Sequence, residues 1–411
     1  MPTKFEQHTL GDILRILIVT ASLPYPLASG GAIRVFGILN GLHDAGHHIT
    51  LLSFGDNDTE TPLNAICEKI VVLPAPSRSK LDRIQTLLLS QKADIETRFY
   101  STDFEKCLLS LLNETPYDLV QFEAIESAAY LPAVRNKFPQ LTICFDTFNA
   151  EADLQRVISE IDRQHIGRLP QAVYSWLQSK RIAQYEGDLC RAADLVIAVS
   201  AEDKAMLGAY RNDDQTYIVP SGIFVDDYAV PDKRVRLGKH AIVFTGKMDY
   251  RPNVDAMLWF ADAILPQVPE ANLTIVGQKP HARIQHLPQR ENISLTGWVD
   301  TVPPYLHAAD VYIAPLRMGS GTRLKILEAM ASGCAIVATS IAAAGLSDAV
   351  KSALVIADSE TSFAVAIREL LNNPAHRAEL GRHAKLMVKA EYDWSVLIPR
   401  LLAAYQEVGL G

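Results

Sequence analysis

The residues best suited to chemistry in this 411-residue chain lie in the segment 315–330, PLRMGSGTRLKILEAM. A strand-like run ends there in a glycine-rich loop, and a helical pattern begins near position 321 or 322. The loop and its first cation are Gly319, Ser320, Gly321, Thr322 and Arg323. A helix N-terminus offers free N–H groups and a partial positive charge, which suit an anion. The pattern therefore predicts a phosphate-binding loop.

The helix after this loop predicts the rest of the site. The apolar residues expected to face the core are Leu324, Leu327 and Ala331. Gly321, Lys325 and Glu328 fall at i, i+4 and i+7, on another common face. Lys325 would then contact phosphates, and Glu328 would accept hydrogen bonds from ribose hydroxyls. The alternative is a solvated Lys325–Glu328 surface pair, which would stabilise the helix by only a few tenths of a kcal/mol.

A second segment with phosphate-binding residue types is FTGKMDYRPN, at positions 244–253. Gly246 follows a strand-like run and would let a ligand approach the backbone. Lys247 and Arg251 could neutralise phosphate charge, and Pro252 stands where a first helical turn tolerates proline. Two cations in such a loop could equally be solvated surface residues.

A glycine pair, Gly30 and Gly31, follows the apolar run LRILIVT and precedes a helical pattern. Adjacent glycines allow close approach to the backbone, although an ordinary strand-to-helix turn explains them almost as well. The dinucleotide fingerprint GxGxxG does not occur in this stretch, which argues against a dehydrogenase. Asp56, after the second strand, could imitate the acid that binds ribose in such enzymes.

These loops need a scaffold that brings strand ends together, and the apolar pattern predicts one. Continuous Val/Ile/Leu runs with helical stretches between them are typical of parallel strands covered on both faces. The runs are residues 14–20, 48–54, 69–74, 117–122, 141–146, 195–200, 241–246, 273–277, 293–297, 311–316, 335–340 and 353–357. The series occurs twice around a polar break at 211–240, so we expect an α/β protein with two doubly wound domains. Ligands bind outside the carboxyl ends of such strands, where these loops lie.

Composition narrows the functional class. The net charge of −8 argues against a nucleic-acid-binding protein. The five cysteines stand singly, without the spacing of a zinc site or a disulfide framework, which fits a reducing compartment. No apolar run approaches the roughly 18 residues that a membrane span requires. We therefore expect a cytoplasmic protein.

Two helical segments lie outside the strand series. Residues 149–191 are rich in Arg and Lys and include Tyr174 and Trp176. We expect them to pack on the first domain; a basic aromatic helix could alternatively touch a membrane surface or a lipid-linked acceptor, which would place the protein peripherally at the inner face of the membrane. Residues 394–408 predict a terminal amphipathic helix.

The second half of the chain resembles the donor-binding domain of retaining glycosyltransferases of family 4, which have the GT-B fold. The segments that carry the resemblance are FTGKMDYRPNVDAMLWFADAILP, LTIVG, ISLTGWV, YIAPLRMGSGTRLKILEAMASGCAIVATSIAAAGL and YDW. The GSGTRLK run is similar to a subgroup found with extracellular or capsular polysaccharide genes. The first half matches more loosely, through the glycine pair, Arg34, VSAEDKAML and VPSGI.

The resemblance implies two Rossmann-like domains that face each other across a cleft. Residues 1–215 would form the acceptor side and residues 216–390 would bind the nucleotide sugar. Residues 391–411 would form a helix that returns to the first domain.

The resemblance also implies residue roles on the donor side. Lys247 stands at the family's phosphate-binding cation, and Glu328 matches the glutamate that binds ribose. Asn253 stands near a position where many relatives carry a second lysine, so Arg251 would supply that charge.

Two further donor-side positions follow from the resemblance. Gly30 and Gly31 would lie against the donor diphosphate. Ser320 takes the place of the family's first motif glutamate, which leaves the identity of the sugar open.

The acceptor side departs from the family. Relatives carry a histidine after the strand near 117–122, or read DTHN where this chain has DTFN at 146–149. Glu123 is therefore the candidate catalytic group, with Arg34, Glu126 and Asp146 on the acceptor side. These carboxylates could alternatively cap a helix N-terminus.

The predicted reaction is a retaining transfer of a hexosyl-type sugar from a nucleoside diphosphate to a saccharide or lipid-linked acceptor. Lys247, Lys325 and Arg251 would stabilise the leaving diphosphate by preorganised electrostatics, so no metal or other cofactor is expected. One alternative is a GT-B epimerase or phosphorylase. Another is a nucleotide-sugar-binding subunit without catalytic activity, suggested by Phe148 and Ser320.

Overall fold

The computed structural model describes residues 12–27, 29–56, 61–77, 90–163, 169–211, 214–233, 235–318 and 323–410. The chain divides into two compact units, Met1–Ser221 with Leu397–Gly411, and Gly222–Val396. Each unit contains a parallel sheet with helices between its strands, so the predicted α/β class with two doubly wound Rossmann-like folds is confirmed. That the two folds face each other across a cleft stays a prediction.

The sheet of the first unit, within the described residues, has seven parallel strands in the order β3-β2-β1-β4-β5-β6-β7. They are β1 (Arg15–Thr20), β2 (His48–Phe54), β3 (Lys69–Leu73), β4 (Leu119–Glu123), β5 (Thr142–Asp146), β6 (Leu195–Ala198) and β7 (Thr216–Ile218). The central strands are buried on both faces, which explains their unbroken apolar runs. The sequence does not predict β7, because this strand lies within the polar stretch 211–240, which the apolar pattern predicts to be a break between the two series.

The helices of the first unit connect these strands. They are α1 (Gly30–Asp44), α2 (Leu63–Ile66), α3 (Asp94–Arg98), α4 (Thr102–Glu114), α5 (Ala124–Ser127), α6 (Leu131–Lys137), α7 (Glu151–Arg163), α8 (Leu169–Ala192) and α9 (Ala201–Gly208). The expected helical segment 149–191 is thus the pair α7 and α8. These two helices pack against each other, and α8 also contacts α3, α6 and α9.

The second unit has, among its described residues, six parallel strands in the order β10-β9-β8-β11-β12-β13. They are β8 (Ala241–Thr245), β9 (Asn272–Val276), β10 (Ile293–Leu295), β11 (Val311–Ala314), β12 (Ile336–Ala338) and β13 (Val355–Ile356). Its helices are α10 (Arg251–Trp259), α11 (Pro303–Leu306), α12 (Leu324–Ala331), α13 (Ser340–Ala343), α14 (Asp348–Lys351), α15 (Glu360–Asn372) and α16 (Pro374–Tyr392).

The last helix, α17 (Trp394–Glu407), matches the predicted terminal helix. From Leu397 onward it belongs to the first unit. Gly41 of α1 makes close contact with it, because a Cβ atom at Gly41 would overlap the Ile398 side chain. In the part of the chain that the structure describes, no helix is both long and apolar enough to cross a membrane.

Candidate functional site

The candidate site of the second unit lies at the carboxyl ends of β8 and β11. These neighbouring strands are where the strand order reverses, since β9 follows β8 on one side and β12 follows β11 on the other. Doubly wound sheets bind ligands at such a reversal, because the flanking loops leave in opposite directions and open a crevice. The predicted loops after β8 and β11 are therefore positioned by the same feature of the sheet.

Gly246, the first residue after β8, has no room for a side chain. An ideal Cβ atom there would lie 2.7 Å from Asn253 Nδ2 and 2.8 Å from Lys325 Nζ. Its φ of +152° is also unfavourable for any residue other than glycine. Gly246 thus lets the lysine of α12 and the amide of α10 reach the backbone after β8.

Lys325 is held by neutral groups. Its Nζ donates to Asn253 Oδ1 at 2.5 Å and lies 5.4 Å from the centre of the Phe244 ring. Burial lowers the pKa of Lys325 to about 8, while Glu328 raises this pKa and Arg323 lowers it. The cation therefore sits in a poorly solvated place where an anion would be strongly attracted.

Asn253 is fully buried and uses both ends of its amide. Its Nδ2 donates to the Lys247 carbonyl at 2.8 Å, and its Oδ1 accepts from Lys325. The amide therefore joins the loop after β8 to α12. This placement makes Asn253 a positioning residue for Lys325; its expected contact with a donor stays a prediction.

Glu328 lies one turn further along α12 and is held by a tyrosine. The Tyr228 hydroxyl donates to Glu328 Oε1 at 2.9 Å. Burial raises the pKa of Glu328, opposed by the Tyr228 hydrogen bond and by Lys325. Tyr228 is fixed in turn because its carbonyl lies 2.9 Å from His307 Nε2. Glu328 is thus a preorganised acceptor, and the alternative of a solvated Lys325–Glu328 pair does not describe it.

The other predicted cations lie around this centre. Arg323 is partly buried, donates to the Ile341 carbonyl at 3.1 Å, and has a pKa lowered by burial. Lys247 and Arg251 are exposed in the loop after β8 and at the start of α10. Together with Lys325 they place cationic side chains in the two loops that flank the strand-order reversal.

The start of α12 differs from the prediction. The sequence predicts a helix from about position 321, whereas α12 begins at Leu324, with Arg323 before it. The predicted donor residues Gly319, Ser320, Gly321 and Thr322 lie outside the described residues. The apolar face is confirmed, since Leu324, Leu327 and Ala331 are buried.

The candidate residues of the first unit form a buried charged cluster. Arg34 Nη2 donates to both carboxylate oxygens of Asp146, at 2.7 and 3.0 Å, and both side chains are fully buried. Arg34 Nη1 also donates to the Val219 carbonyl at 2.9 Å. These predicted acceptor-side residues bind each other in the core, and neither reaches the protein surface in this structure.

Glu123, at the end of β4, belongs to the same cluster. It accepts from Gln121 Nε2 at 2.6 Å, and the Tyr405 hydroxyl of α17 donates to Gln121 Oε1. Burial and the charge of Asp146 raise the pKa of Glu123, whereas Arg34 lowers it. Burial also raises the pKa of Asp146, to about 6, while Arg34 lowers it.

Glu126 lies apart from this cluster, in α5, and is partly buried. Burial raises the pKa of Glu126, and Arg98 lowers it. The backbone between the two glutamates is unusual, because Ala124 has a φ of +66°, which L-residues rarely adopt. Whether Glu123 or Glu126 orients an acceptor stays a prediction.

The glycine pair at the start of α1 has a structural reason. A Cβ atom at Gly31 would lie 2.7 Å from Cε2 of Phe148, whose ring covers this helix end. Ser29 caps the helix by accepting from the Ala32 N–H at 3.2 Å. Packing against Phe148 therefore accounts for Gly31, and the expected contact of Gly30 and Gly31 with a diphosphate stays a prediction.

Residues 239–373 match the family model described as "Glycosyl transferases group 1", and the whole match lies in the second unit. This segment of the second unit is thus similar to the group 1 glycosyl transferases. The match confirms the predicted glycosyltransferase class and favours sugar transfer over the alternatives.

The similar proteins differ in how much of this chain they cover. The "Uncharacterized 44.6 kDa protein in cps region" of Klebsiella pneumoniae is 22% identical over 92% of this chain and 96% of its own length. A phosphatidyl-myo-inositol mannosyltransferase of Mycolicibacterium smegmatis is 28% identical over 46% of this chain and 51% of its own length. The alignment thus spans only about half of that mannosyltransferase.

Solved structures resemble the whole chain. Sucrose-phosphate synthase from Thermosynechococcus elongatus has a TM-score of 0.73 and 18% identity, over 96% of this chain and 99% of that chain. Anabaena HepE in complex with UDP has a TM-score of 0.65 and 14% identity, over 96% and 100%. At these identities the likeness shows the fold, which agrees with two Rossmann-like units.

The sequence alone could not identify several functional residues of the two units. Tyr228 lies in the polar stretch 211–240, where no motif singles it out. Gln121 lies inside a strand run, and Tyr405 stands on the apolar face of a terminal helix. A polar Gln121 within the buried strand β4 was the one signal that a buried partner must exist.

Proposed function

We propose that the chain transfers a sugar, with retention of anomeric configuration, from a nucleoside diphosphate sugar to a saccharide or lipid-linked acceptor. The observation that carries the proposal is Lys325, a cation that a neutral amide holds against a glycine with no space for a side chain. Glu328, one turn away and fixed by Tyr228, would accept from ribose hydroxyls. Lys325 and Glu328 would thus bind the phosphate and the ribose of the donor from one helix.

The proposed chemistry uses these cations to stabilise a departing group. The bond between the anomeric carbon and the diphosphate oxygen breaks, and the acceptor oxygen forms the new bond on the same face of the sugar. The acceptor proton goes to the departing phosphate. Lys325, with Lys247 and Arg251 nearby, would stabilise the developing negative charge without reorganisation, and such preorganised charge is commonly the largest contribution to catalysis.

We further propose that no metal or other cofactor takes part. The side-chain cations would neutralise the diphosphate, which is the role that a divalent ion has in other transferases. Transfer activity should therefore be unchanged by EDTA, and a loss of activity that added Mg²⁺ or Mn²⁺ restores would contradict this part of the proposal.

The similar proteins support a role in polysaccharide or glycoconjugate biosynthesis. One is named for a cps region, another is a mannosyltransferase named for phosphatidyl-myo-inositol, and a third was crystallised with UDP. UDP-sugars are accordingly the first donors to test, with a saccharide or a lipid-linked saccharide as acceptor. The free cysteines among the described residues fit the proposed cytoplasmic location.

A thermal-shift screen of UDP-, GDP- and ADP-sugars on the full chain tests the donor. A bound donor raises the melting temperature by mass action, so one nucleotide should stand out. The preferred donor is then incubated with candidate acceptors, and NMR of the new glycosidic bond reads its anomeric configuration. Inversion of that configuration would contradict the proposed mechanism.

A parallel incubation without acceptor separates the alternatives. An epimerase would still convert the nucleotide sugar, whereas a transferase would leave it unchanged apart from slow hydrolysis. Binding of a nucleotide without transfer to any acceptor would identify a non-catalytic subunit.

A further inference from the structure

In the first half of α8 the apolar side chains face outward and the small or polar side chains face inward, which is the reverse of a usual surface helix. Its exposed side includes Leu169, Val173 and Trp176, which are 46%, 64% and 41% exposed. These residues are spaced by four and three positions, so they lie along one face of the helix. Together with Lys180, one turn further on, we call them the α8 face.

The inward side of the same turns is small or polar. Ser175, Gln178 and Ser179 are buried there. Gln178 Oε1 accepts from the Asp94 N–H at 2.9 Å, and Ser179 Oγ donates to the Trp176 carbonyl at 2.8 Å. Gln178 and Ser179 thus have hydrogen-bond partners on the inward side, and the apolar residues of these turns face outward.

The second half of α8 has ordinary polarity. Gln184 and Asp188 are exposed, and Ile182 and Leu189 are buried. The reversal is therefore confined to the first half of α8. The second half of the same helix shows the ordinary arrangement of polar residues outward and apolar residues inward. An apolar face of this kind marks a surface that meets an apolar environment.

The charges beside the α8 face favour an anionic environment. No acidic residue occurs between positions 169 and 185, and Lys180 and Arg181 follow the apolar residues. Lys180 Nζ lies over the Trp176 ring, 4.1 Å from its centre, so a cation stands directly beside the apolar residues of this face. Tryptophan beside lysine is typical of side chains at a membrane interface.

We propose that the α8 face docks on an anionic lipid surface. Three apolar side chains cannot cover the roughly 800 Å² that each partner buries in a stable protein interface, so a second copy of the chain is a poorer occupant. Shallow insertion into a lipid headgroup region needs only a small apolar face flanked by cations. The proposal goes beyond sugar transfer and requires neither donor nor acceptor.

Vesicle flotation of the full chain tests the docking. Wild-type protein should float with vesicles of phosphatidylcholine and phosphatidylglycerol and much less with phosphatidylcholine alone. Val173→Ser with Trp176→Ser should weaken binding to the anionic vesicles about tenfold or more, because two inserted apolar side chains are lost. Lys180→Gln should weaken it about fivefold and leave the remaining binding to neutral vesicles unchanged.

The matched control is Val365→Ser with Leu386→Ser in the second unit. These two side chains are 42% and 65% exposed, so the control removes similar apolar surface elsewhere. Equal losses in the control and the α8 variant would overturn the proposal, as would a wild type that binds neither vesicle. Sedimentation without lipid tests whether a second copy of the chain occupies the α8 face instead. If the wild type is a dimer, and the α8 variant abolishes the dimer without losing vesicle binding, the face would be assigned to self-association. Because flotation is read without substrate, its failure is distinct from a failure of sugar transfer.

Discussion

The two units differ in the partner that each gives to a buried cation. In the first unit, Arg34 and Asp146 neutralise each other with two hydrogen bonds and are fully buried. In the second unit, Lys325 is held by the neutral amide of Asn253 and remains half-buried at the carboxyl end of a sheet. One cation has a permanent counter-charge, and the other is held by an uncharged partner.

This difference separates a structural role from a functional one. A buried cation whose counter-ion comes from the protein gains less from an external anion than an unpaired one does. Lys325 has a pKa lowered to about 8 by burial, so its charged form is under-stabilised and a bound diphosphate would relieve that cost. The contrast predicts that mutations in the first unit change stability and that mutations around Lys325 change activity.

The largest expected effect is on stability, in the first unit. Asp146→Asn should lower the free energy of unfolding by about 3–5 kcal/mol, because buried Arg34 would lose the carboxylate that pairs with it through two hydrogen bonds. Urea-induced unfolding of the full chain measures the change. The control is Asp188→Asn, whose partner Arg191 is exposed and 2.6 Å away, and which should cost less than about 1 kcal/mol. Equal losses in the free energy of unfolding for the two variants would show that the Arg34–Asp146 pair is no more important for stability than an exposed ion pair.

Lys325→Ala should act on catalysis. We expect kcat to fall by about 10²–10³, the usual loss when one preorganised group is removed from a developing charge, while the melting temperature changes little. The control is Lys389→Ala, an exposed lysine of the same unit that lies 3.5 Å from Asp226. Full transfer activity in Lys325→Ala would show that its assigned role is wrong.

Asn253→Ala should have a smaller effect, because it loosens Lys325 without removing it. We expect about a tenfold loss in kcat, in line with the loss of one hydrogen bond to a charged group. Asn253→Asp keeps an acceptor for Lys325 and adds a negative charge, so it should move the alkaline limb of the pH profile upward. A pH profile in Asn253→Asp identical to that of the wild type would show that Asn253 does not position Lys325.

The smallest effect is a pH dependence. The value of kcat/KM for the donor should fall as pH rises through about 8, because Lys325 loses its proton there in the free enzyme. Lys325→Arg should remove this limb, since arginine stays charged. The sign for stability is opposite. The pKa of Lys325 is lower in the folded chain than the ordinary lysine value of 10.5, so its unfavourable contribution to the free energy of unfolding disappears as pH rises from about 8 toward 10.5. An alkaline limb that persists in Lys325→Arg would assign it to another group.

The sequence predicts what depends on neighbours in the chain. Continuous apolar runs predict the parallel strands, and the spacing of Leu324, Leu327 and Ala331 predicts the buried face of α12. The spacing of Lys325 and Glu328 likewise predicts that both lie at one site. These features need only the geometry of a strand or a helix.

The sequence could not predict partners that are far apart in the chain. Asn253 stands 72 positions before Lys325, and Tyr228 stands 100 positions before Glu328. The pairing of Arg34 with Asp146, over 112 positions, exists only because β1, β4 and β5 lie side by side. Polar residue types show that such groups need partners, whereas strand order decides which partners they meet.

The last helix has a consequence for biosynthesis. Residues from Leu397 onward complete the first unit: Ile398 packs on Gly41, and Tyr405 donates to Gln121 beside the Arg34 cluster. A ribosome releases these residues only after the entire second unit has been made. The unit that is translated first therefore depends on residues that are translated last, and Gln121 Oε1 cannot accept the Tyr405 hydrogen bond until they have been made.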